Sequence, residues 1–388
     1  MPLLDLTHTS HTRARTGVQR VARSLARALG ERALPICFDP YRRAWRLLEA
    51  WERANLAAMA PAAKRGAQWP WSARLRGYFR RGAPAVPELY GADGLIVPEI
   101  FSPTVAAALP PLLAGVDGAR VALFHDAIAL QLPELTPAKT VGRFPSYLRE
   151  LLAFDGVAAI SEASRQSLLD YWAWLGAASP PPVAAIPLGI DAFGAGRDGS
   201  APPAGGAAPV ILCVASVEGR KNHLALLEAC EQLWAQGRSF TLHLVGLGQP
   251  QTGGAALAKI AALQTAGRPL RYDGPVDEAA LQAAYRECAF TVYPSLLEGF
   301  GLPVLESLAR GRPCVCSGRG ALGEAARGGG CLPLESVGAA ALAGAVGRLL
   351  AEPATLERLA AEARARPVRP WGDYARDLLA WMESLARR

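Results

Sequence analysis

Two glutamates, Glu298 and Glu306, stand eight positions apart in "SLLEGFGLPVLES" (residues 295–307), with a Gly-Phe-Gly turn and a Leu-Pro helix opening between them. The apolar run "FTVY" reads as a strand ending at Pro294, and Pro303 suits the first residue of a helix, where its missing N–H costs nothing. The backbone N–H groups of Gly299, Phe300, Gly301 and Leu302 are then left to point along the helix axis, beside about half a positive charge from the macrodipole. An anion belongs there, and a phosphate is the usual one. Gly299 and Gly301 remove side chains that would keep a ligand from the backbone. Glu306, roughly 5 Å further along the axis, can accept hydrogen bonds from hydroxyls, and Glu298 precedes the turn on the other side. Two carboxylates bracketing a phosphate suit a ligand with hydroxylated groups at both ends, such as a sugar nucleotide.

A phosphate flanked by carboxylates needs cations. Arg220 and Lys221 in "VASVEGRKNH" follow the apolar run "ILCVAS", where a bidentate guanidinium and a compact ammonium can clamp a diphosphate. An Arg-Lys pair in a loop is otherwise a solvated pair, and its place at the carboxyl end of a strand favours the ligand role. His125 ends the run "RVALFHD" with Asp126 beside it. A lone histidine there is either a packed residue or a substrate contact. The "GLG" at 246–248 lacks the rest of a dinucleotide-binding G-x-G-x-x-G.

The elements that must carry these residues read as α/β. "GLIVPEI", "RVALFHD" and "GVAAISE" are short apolar runs ending at polar residues, and a second series, "PVILCVAS", "FTLHLVGLG", "FTVYPS" and "PCVCSG", follows with helical patterns between. Continuous apolar strands alternating with helices predict parallel sheets covered on both faces. Residues 194–208, "GAGRDGSAPPAGGAA", have the composition of a linker. We therefore expect two Rossmann-like domains facing across a cleft, at 1–193 and 209–366, and a segment 367–388, broken from the preceding helix by "RPVRP", that crosses back to the first domain.

A chain of 388 residues, 51% hydrophobic and 19% charged, is globular in composition and long enough for two cores. No apolar run approaches the roughly 18 residues needed to span a bilayer, and the first residues lack the order of a signal peptide, so the expectation is a cytoplasmic protein, peripheral on the membrane at most. Seven cysteines without C-x-x-C spacing read as core thiols. The net charge of +7 is uneven: residues 41–82 hold ten Arg or Lys against two Glu, 10 − 2 = +8, together with four of the nine tryptophans. Such a segment suits an anionic membrane surface. Nucleic acid is a second partner for such charge, and an insertion packed on its own domain is the plain alternative.

"SVEGRKN", "YPSLLEGFGLPVLESLARGRPCV" and "SGRGALGE" resemble the donor domain of family-four retaining glycosyltransferases of the GT-B fold, and "TGVQRVARSLARAL", "LFHDAIALQLPE" and "IPLGID" resemble its N-terminal half. The resemblance implies that Arg220 and Lys221 bind a donor diphosphate and that Glu306 binds ribose hydroxyls. It implies that Glu298 meets the transferred sugar, with Phe300, Gly301 and Leu302 offering amides. Gly17 becomes a close-approach glycine, and His125 and Asp126 face the sugar, so that Glu298, His125 and Asp126 form the catalytic set. It further implies front-face transfer with retention, no metal or other cofactor, a nucleotide diphosphate sugar as donor, and a glycan or lipid-linked glycan as acceptor. No nucleic acid partner is expected. The "TGVQR" loop resembles those of O-antigen and capsule mannosyl- or rhamnosyltransferases and points to a GDP-sugar. A nucleotide-sugar epimerase or hydrolase, and a non-catalytic glycan-binding protein, are the alternatives on the same fold.

Overall fold

The computed structural model describes residues 1–14, 16–58, 66–81, 89–191 and 208–387. The chain divides into two compact units: residues 1–126, 143–191 and 369–388 form the first, and residues 127–142 and 192–368 the second. The expected linker, 194–208, lies outside the described residues except for its last position.

The first unit contains β1 (Leu3–Asp5), β2 (Leu34–Asp39), β3 (Ala44–Leu47), β4 (Ala92–Val97), β5 (Val116–Phe124), β6 (Gly156–Ala159) and β7 (Val183–Ala185). They form one sheet in the order β3-β2-β1-β4-β5-β6-β7, parallel except for the antiparallel pair β2 and β3. Leu95, Ile96, Val121, Leu123, Val157 and Ala158 are fully buried because helices cover both faces, which is why these strands read as unbroken apolar runs. The helix Gly17–Leu29 opens on Thr16, whose N–H and hydroxyl both donate to Gln19 Oε1 at 3.0 Å.

The second unit contains β8 (Val210–Val214), β9 (Thr241–Val245), β10 (Leu270–Tyr272), β11 (Phe290–Tyr293), β12 (Cys314–Ser317) and β13 (Cys331–Leu334), all parallel, in the order β10-β9-β8-β11-β12-β13. The sequence predicts four of these six. The two missed are the sheet's edges: β10 has three residues, too short for a periodic signal, and "CLPL" carries a proline that only an edge strand tolerates. All seven cysteines are buried and unpaired, two of them in β12.

The helix Pro353–Ala365 ends before "RPVRP", and the helix Trp371–Glu383 belongs to the first unit, where it packs on the helix Gly17–Leu29 and on β5. Glycines make room for it: a Cβ at Gly94 would stand 2.1 Å from Met382 Cε, and one at Gly156 2.8 Å from the Trp381 ring. No helix among the described residues is long and apolar enough to cross a membrane.

The basic, Trp-rich segment is more ordered than its loose periodicity suggests. It supplies strand β3 and the helices Ala50–Ala57 and Trp71–Phe79. Trp45 and Trp69 are buried at 6% and 9% exposure, and Trp69 packs against the rings of His11, Tyr41 and Trp51. Residues 59–65 and 82 of this segment lie outside the described residues.

Candidate functional site

In the second sheet the chain runs outward from β8 through β9 to β10, then returns to lay β11 on the other side of β8. The boundary between β8 and β11 is therefore where the strand order reverses, and the crevice outside the carboxyl ends of strands at such a point is where parallel α/β sheets bind ligands. Arg220 and Lys221 leave β8 on one side, and Pro294 to Gly301 leave β11 on the other. The loops are tied together by the backbone: Leu296 N–H donates to Arg220 O at 2.9 Å. Asn222 braces them further. Its backbone is left-handed, at φ 58°, and its amide donates to Pro294 O at 3.3 Å and Val337 O at 2.8 Å. An asparagine after "GRK" carries a weak signal in sequence, since left-handed Asn is common in turns.

The side chains converge on Glu298. Arg220 Nη1 lies 2.9 Å from Glu298 Oε2, and its Nη2 lies 2.9 Å from Glu218 Oε1. Lys221 Nζ pairs with Glu298 Oε1 and donates to the Tyr293 hydroxyl at 2.6 Å, which in turn donates to the same Glu298 oxygen at 3.0 Å. Burial alone would raise the Glu298 carboxyl, but Lys221 and then Arg220 outweigh it and hold the group at about 2. Burial lowers the Lys221 ammonium, with Glu298 opposing, and raises the Tyr293 phenol well above its usual range. Two cations and two carboxylates thus close into a neutral cluster at the mouth of the sheet. Glu298 is the counter-ion of both basic residues, a link the linear spacing does not show.

Beyond this cluster the turn runs into the helix Leu302–Ala309. It begins one residue earlier than the sequence suggests, with Pro303 second and Gly301 as its N-cap. Gly301 has φ 102°, a conformation that side-chain-bearing residues rarely adopt, and this turns the amides of Gly301 and Leu302 into the helix start. Glu306 is buried on this helix, and its carbonyl accepts from Arg310 Nη1 at 2.8 Å. Ser307 next to it meets Thr291 of β11 at 2.7 Å, which fixes the helix to the strand that precedes it. Arg220, Lys221, Glu298, Gly299, Phe300, Gly301, Leu302 and Glu306 are therefore carried by the two loops that follow β8 and β11 and by the helix after them. The "GLG" is structural: a Cβ at Gly246 would stand 2.0 Å from Ala215 O.

His125, Asp126 and Gly17 belong to the first unit. His125 is buried and its Nε2 lies 2.7 Å from Pro98 O. A carbonyl only accepts, so Nε2 carries the proton; burial lowers the ring's pKa and keeps it neutral, leaving Nδ1 as an acceptor. The packed reading of this histidine is the one its Nε2 contact and its burial show. A Cβ at Gly17 would meet no atom within 4 Å among the described residues.

Sequence reasoning missed the residues that shape the loop after β1. Glu99, at the end of β4, accepts from the His8 and Thr9 N–H groups at 2.8 Å each. Arg23 donates to Ala14 O and Thr12 O, both at 2.7 Å. Asp5 caps Thr7 N–H at 2.9 Å. Burial pushes Asp5 and Glu99 up to about 7. A Glu in "VPEI" gives no warning of this, because its partners lie some ninety positions upstream.

His11, Cys37 and Glu52 place ligand-type atoms close together. Both Glu52 oxygens are taken by Arg46, at 2.7 and 2.9 Å, and burial keeps Cys37 a thiol. A guanidinium within that cluster opposes a metal cation, and the group is a buried ion-pair network of the Trp-rich segment.

The fold is GT-B, as in the solved structures it superposes on, and residues 208–352 match the family model described as glycosyl transferases group 1. HepE from Anabaena, solved with UDP and glucose, superposes with a TM-score of 0.69 at 16% identity over 99% of this chain and 100% of that one. Sucrose-phosphate synthase from Thermosynechococcus elongatus gives 0.64 at 18% identity over 98% of each chain. In sequence, the chain is 24% identical over 336 residues to the serotype-specific mannosyltransferase WbdA of Escherichia coli, covering 81% of this chain and 38% of that protein's length. A shorter match, 40% identical over 103 residues, is to a glycogen synthase of Mycobacterium tuberculosis, covering 26% of this chain and 24% of that one.

Proposed function

We propose that this chain is a retaining hexosyltransferase that moves a sugar from a nucleotide diphosphate donor onto a glycan or lipid-linked glycan. The observation that carries the reading is the convergence of Arg220 and Lys221 with the Glu298 turn at the point where the second sheet reverses direction. Guanidinium and ammonium N–H groups, already oriented by Glu298, meet the diphosphate oxygens. The amides of Gly299 to Leu302 add dipoles without a reorganisation cost. Lys221 has three N–H donors, of which Tyr293 and Glu298 take two. Glu306 accepts ribose hydroxyls. Glu298 has acceptor capacity for a sugar hydroxyl beyond its bonds to the two cations. The family resemblance adds His125, with Nδ1 as its acceptor, Asp126 and Gly17 as further contacts of the donor sugar.

In this reading the leaving diphosphate takes the proton of the incoming hydroxyl on the face it departs from, so the anomeric configuration is kept. The protein's part is positioning and charge. The leaving group's charge is met by Arg220, Lys221 and the helix start, so no dedicated metal is required. A mannosyl donor, with GDP as its nucleotide, is favoured by the likeness to WbdA and by the "TGVQR" loop. Calorimetry with UDP, GDP and dTDP tests the donor: GDP is expected to bind most tightly, and selective binding of UDP would overturn the choice of base. Product analysis with GDP-mannose and a mannose-terminated acceptor tests the reaction, and free mannose formed equally with and without acceptor would mark a hydrolase.

A further inference from the structure

The aromatic residues of the basic segment divide into two sets. Trp45 and Trp69 are packed, whereas the helix Trp71–Phe79 presents Trp71 at 74%, Tyr78 at 55% and Phe79 at 86% exposure. Its buried positions, Ala73 and Gly77, are small and let it lie against the turn after β2; a Cβ at Gly77 would stand 2.7 Å from Tyr41 Cβ. Arg74, Arg80 and Arg81 are exposed beside the three rings, and Arg76 pairs with Glu49 at 2.6 Å. Residues 66–81 contain no acidic side chain. Rings of this size stay exposed at a cost in water unless a partner covers them, and the cations beside them select a partner that is both apolar and anionic.

We propose that the helix Trp71–Phe79 is a docking surface for an anionic lipid bilayer. The rings sit at headgroup level, where amphipathic aromatics are favoured, and the guanidinium groups of Arg74, Arg80 and Arg81 meet lipid phosphates. A second feature of the same turn favours lipid over a wholly polar polyanion. Phe38, Pro40, Ala44, Trp45 and Leu112 are among the residues lining a cavity of about 640 Å³, with Arg43 as its cation. A mostly apolar cavity with a single cation suits an acyl chain below a phosphate headgroup better than the repeated phosphates of a nucleic acid. The surface is independent of the proposed transfer reaction.

Co-sedimentation of the full chain with vesicles tests it, using phosphatidylcholine alone and phosphatidylcholine mixed with phosphatidylglycerol. Binding is expected only to the mixed vesicles, with release by salt. Arg80→Ala combined with Arg81→Ala should weaken partitioning about 25-fold, two factors of roughly fivefold at about 1 kcal/mol per cation. Trp71→Ala with Phe79→Ala should weaken it as well while leaving the thermal melt unchanged, because both side chains are exposed. Equal binding to both vesicle types, unchanged binding by either double variant, or binding to a duplex oligonucleotide with none to vesicles would each overturn the proposal.

Discussion

Arg220 Nη1 lies 2.9 Å from Glu298 Oε2, so a basic residue after β8 is held by an acidic residue after β11. The pair shares its carboxylate with Lys221, and the three side chains act as one unit. Glu298 thereby positions both basic side chains, the groups proposed above to meet the donor's diphosphate.

Glu298→Gln is expected to cost more than a single sugar contact. Removing one partner of a buried ion pair leaves the other charge unmatched, at about 3 to 5 kcal/mol. The Lys221 ammonium, already lowered by burial, would lose the charge that supports it. Steady-state kinetics should show kcat/KM down by roughly a hundredfold or more, together with weaker binding of the nucleotide diphosphate alone. A loss confined to sugar transfer, with nucleotide affinity unchanged, would separate the carboxylate from the cations.

Tyr293→Phe removes the hydroxyl between Lys221 and Glu298 and keeps the ring. A hydrogen bond to a charged group contributes about 1.5 to 3 kcal/mol, so nucleotide affinity should fall by roughly 10- to 100-fold. Wild-type affinity in this variant would show that Glu298 alone holds the ammonium.

The two units should respond to pH with opposite sign. Glu298 is depressed to about 2, so its contribution is present above the ordinary value of 4.5 and is lost as pH falls through 2. An acid limb in activity above pH of about 4 should therefore not arise from Glu298. Asp5 and Glu99 are raised to about 7, so the folded first unit binds more protons than the unfolded chain between their ordinary values and about 7. Their contribution is lost as pH rises through 7. Thermal melts should show the first unit less stable at the alkaline end of that window, and Asp5→Asn should flatten the dependence. A slope unchanged by Asp5→Asn would assign it elsewhere.

Deleting residues 367–388 should destabilise the first unit selectively. Trp371, Tyr374, Leu378 and Met382 are buried in that unit, and Gly94 and Gly156 would be left as uncovered gaps. Fully burying such side chains stabilises by roughly 1.5 to 3 kcal/mol each, comparable in sum to the stability of a typical domain. Calorimetry should lose or lower the first unit's transition and leave the second unit's in place. A single transition shifted uniformly would contradict the division.

In the proposed mechanism Arg220, Lys221 and the helix start meet the leaving group's charge, so treatment with EDTA followed by gel filtration is expected to leave transfer activity intact. Loss of activity restored by one added divalent cation would reverse that part of the mechanism.

Much of this molecule is written in short-range patterns. Strands such as "VILCV" and "FTVY" are buried on both faces, so their apolar runs announce a parallel sheet, and "EGFGLP" announces a turn into a helix because its glycines and proline have few other uses. Edge strands as short as β10 leave no comparable signal. Nor does any local pattern state that Glu298 is the counter-ion of Lys221, that Glu99 gathers the loop after β1, or that Trp69 is buried while Trp71 is exposed two positions later. Backbone periodicity and turn chemistry act over a few residues and can be read along the chain. Charge pairing and burial depend on which loops the strand order brings side by side, and only the folded chain decides that.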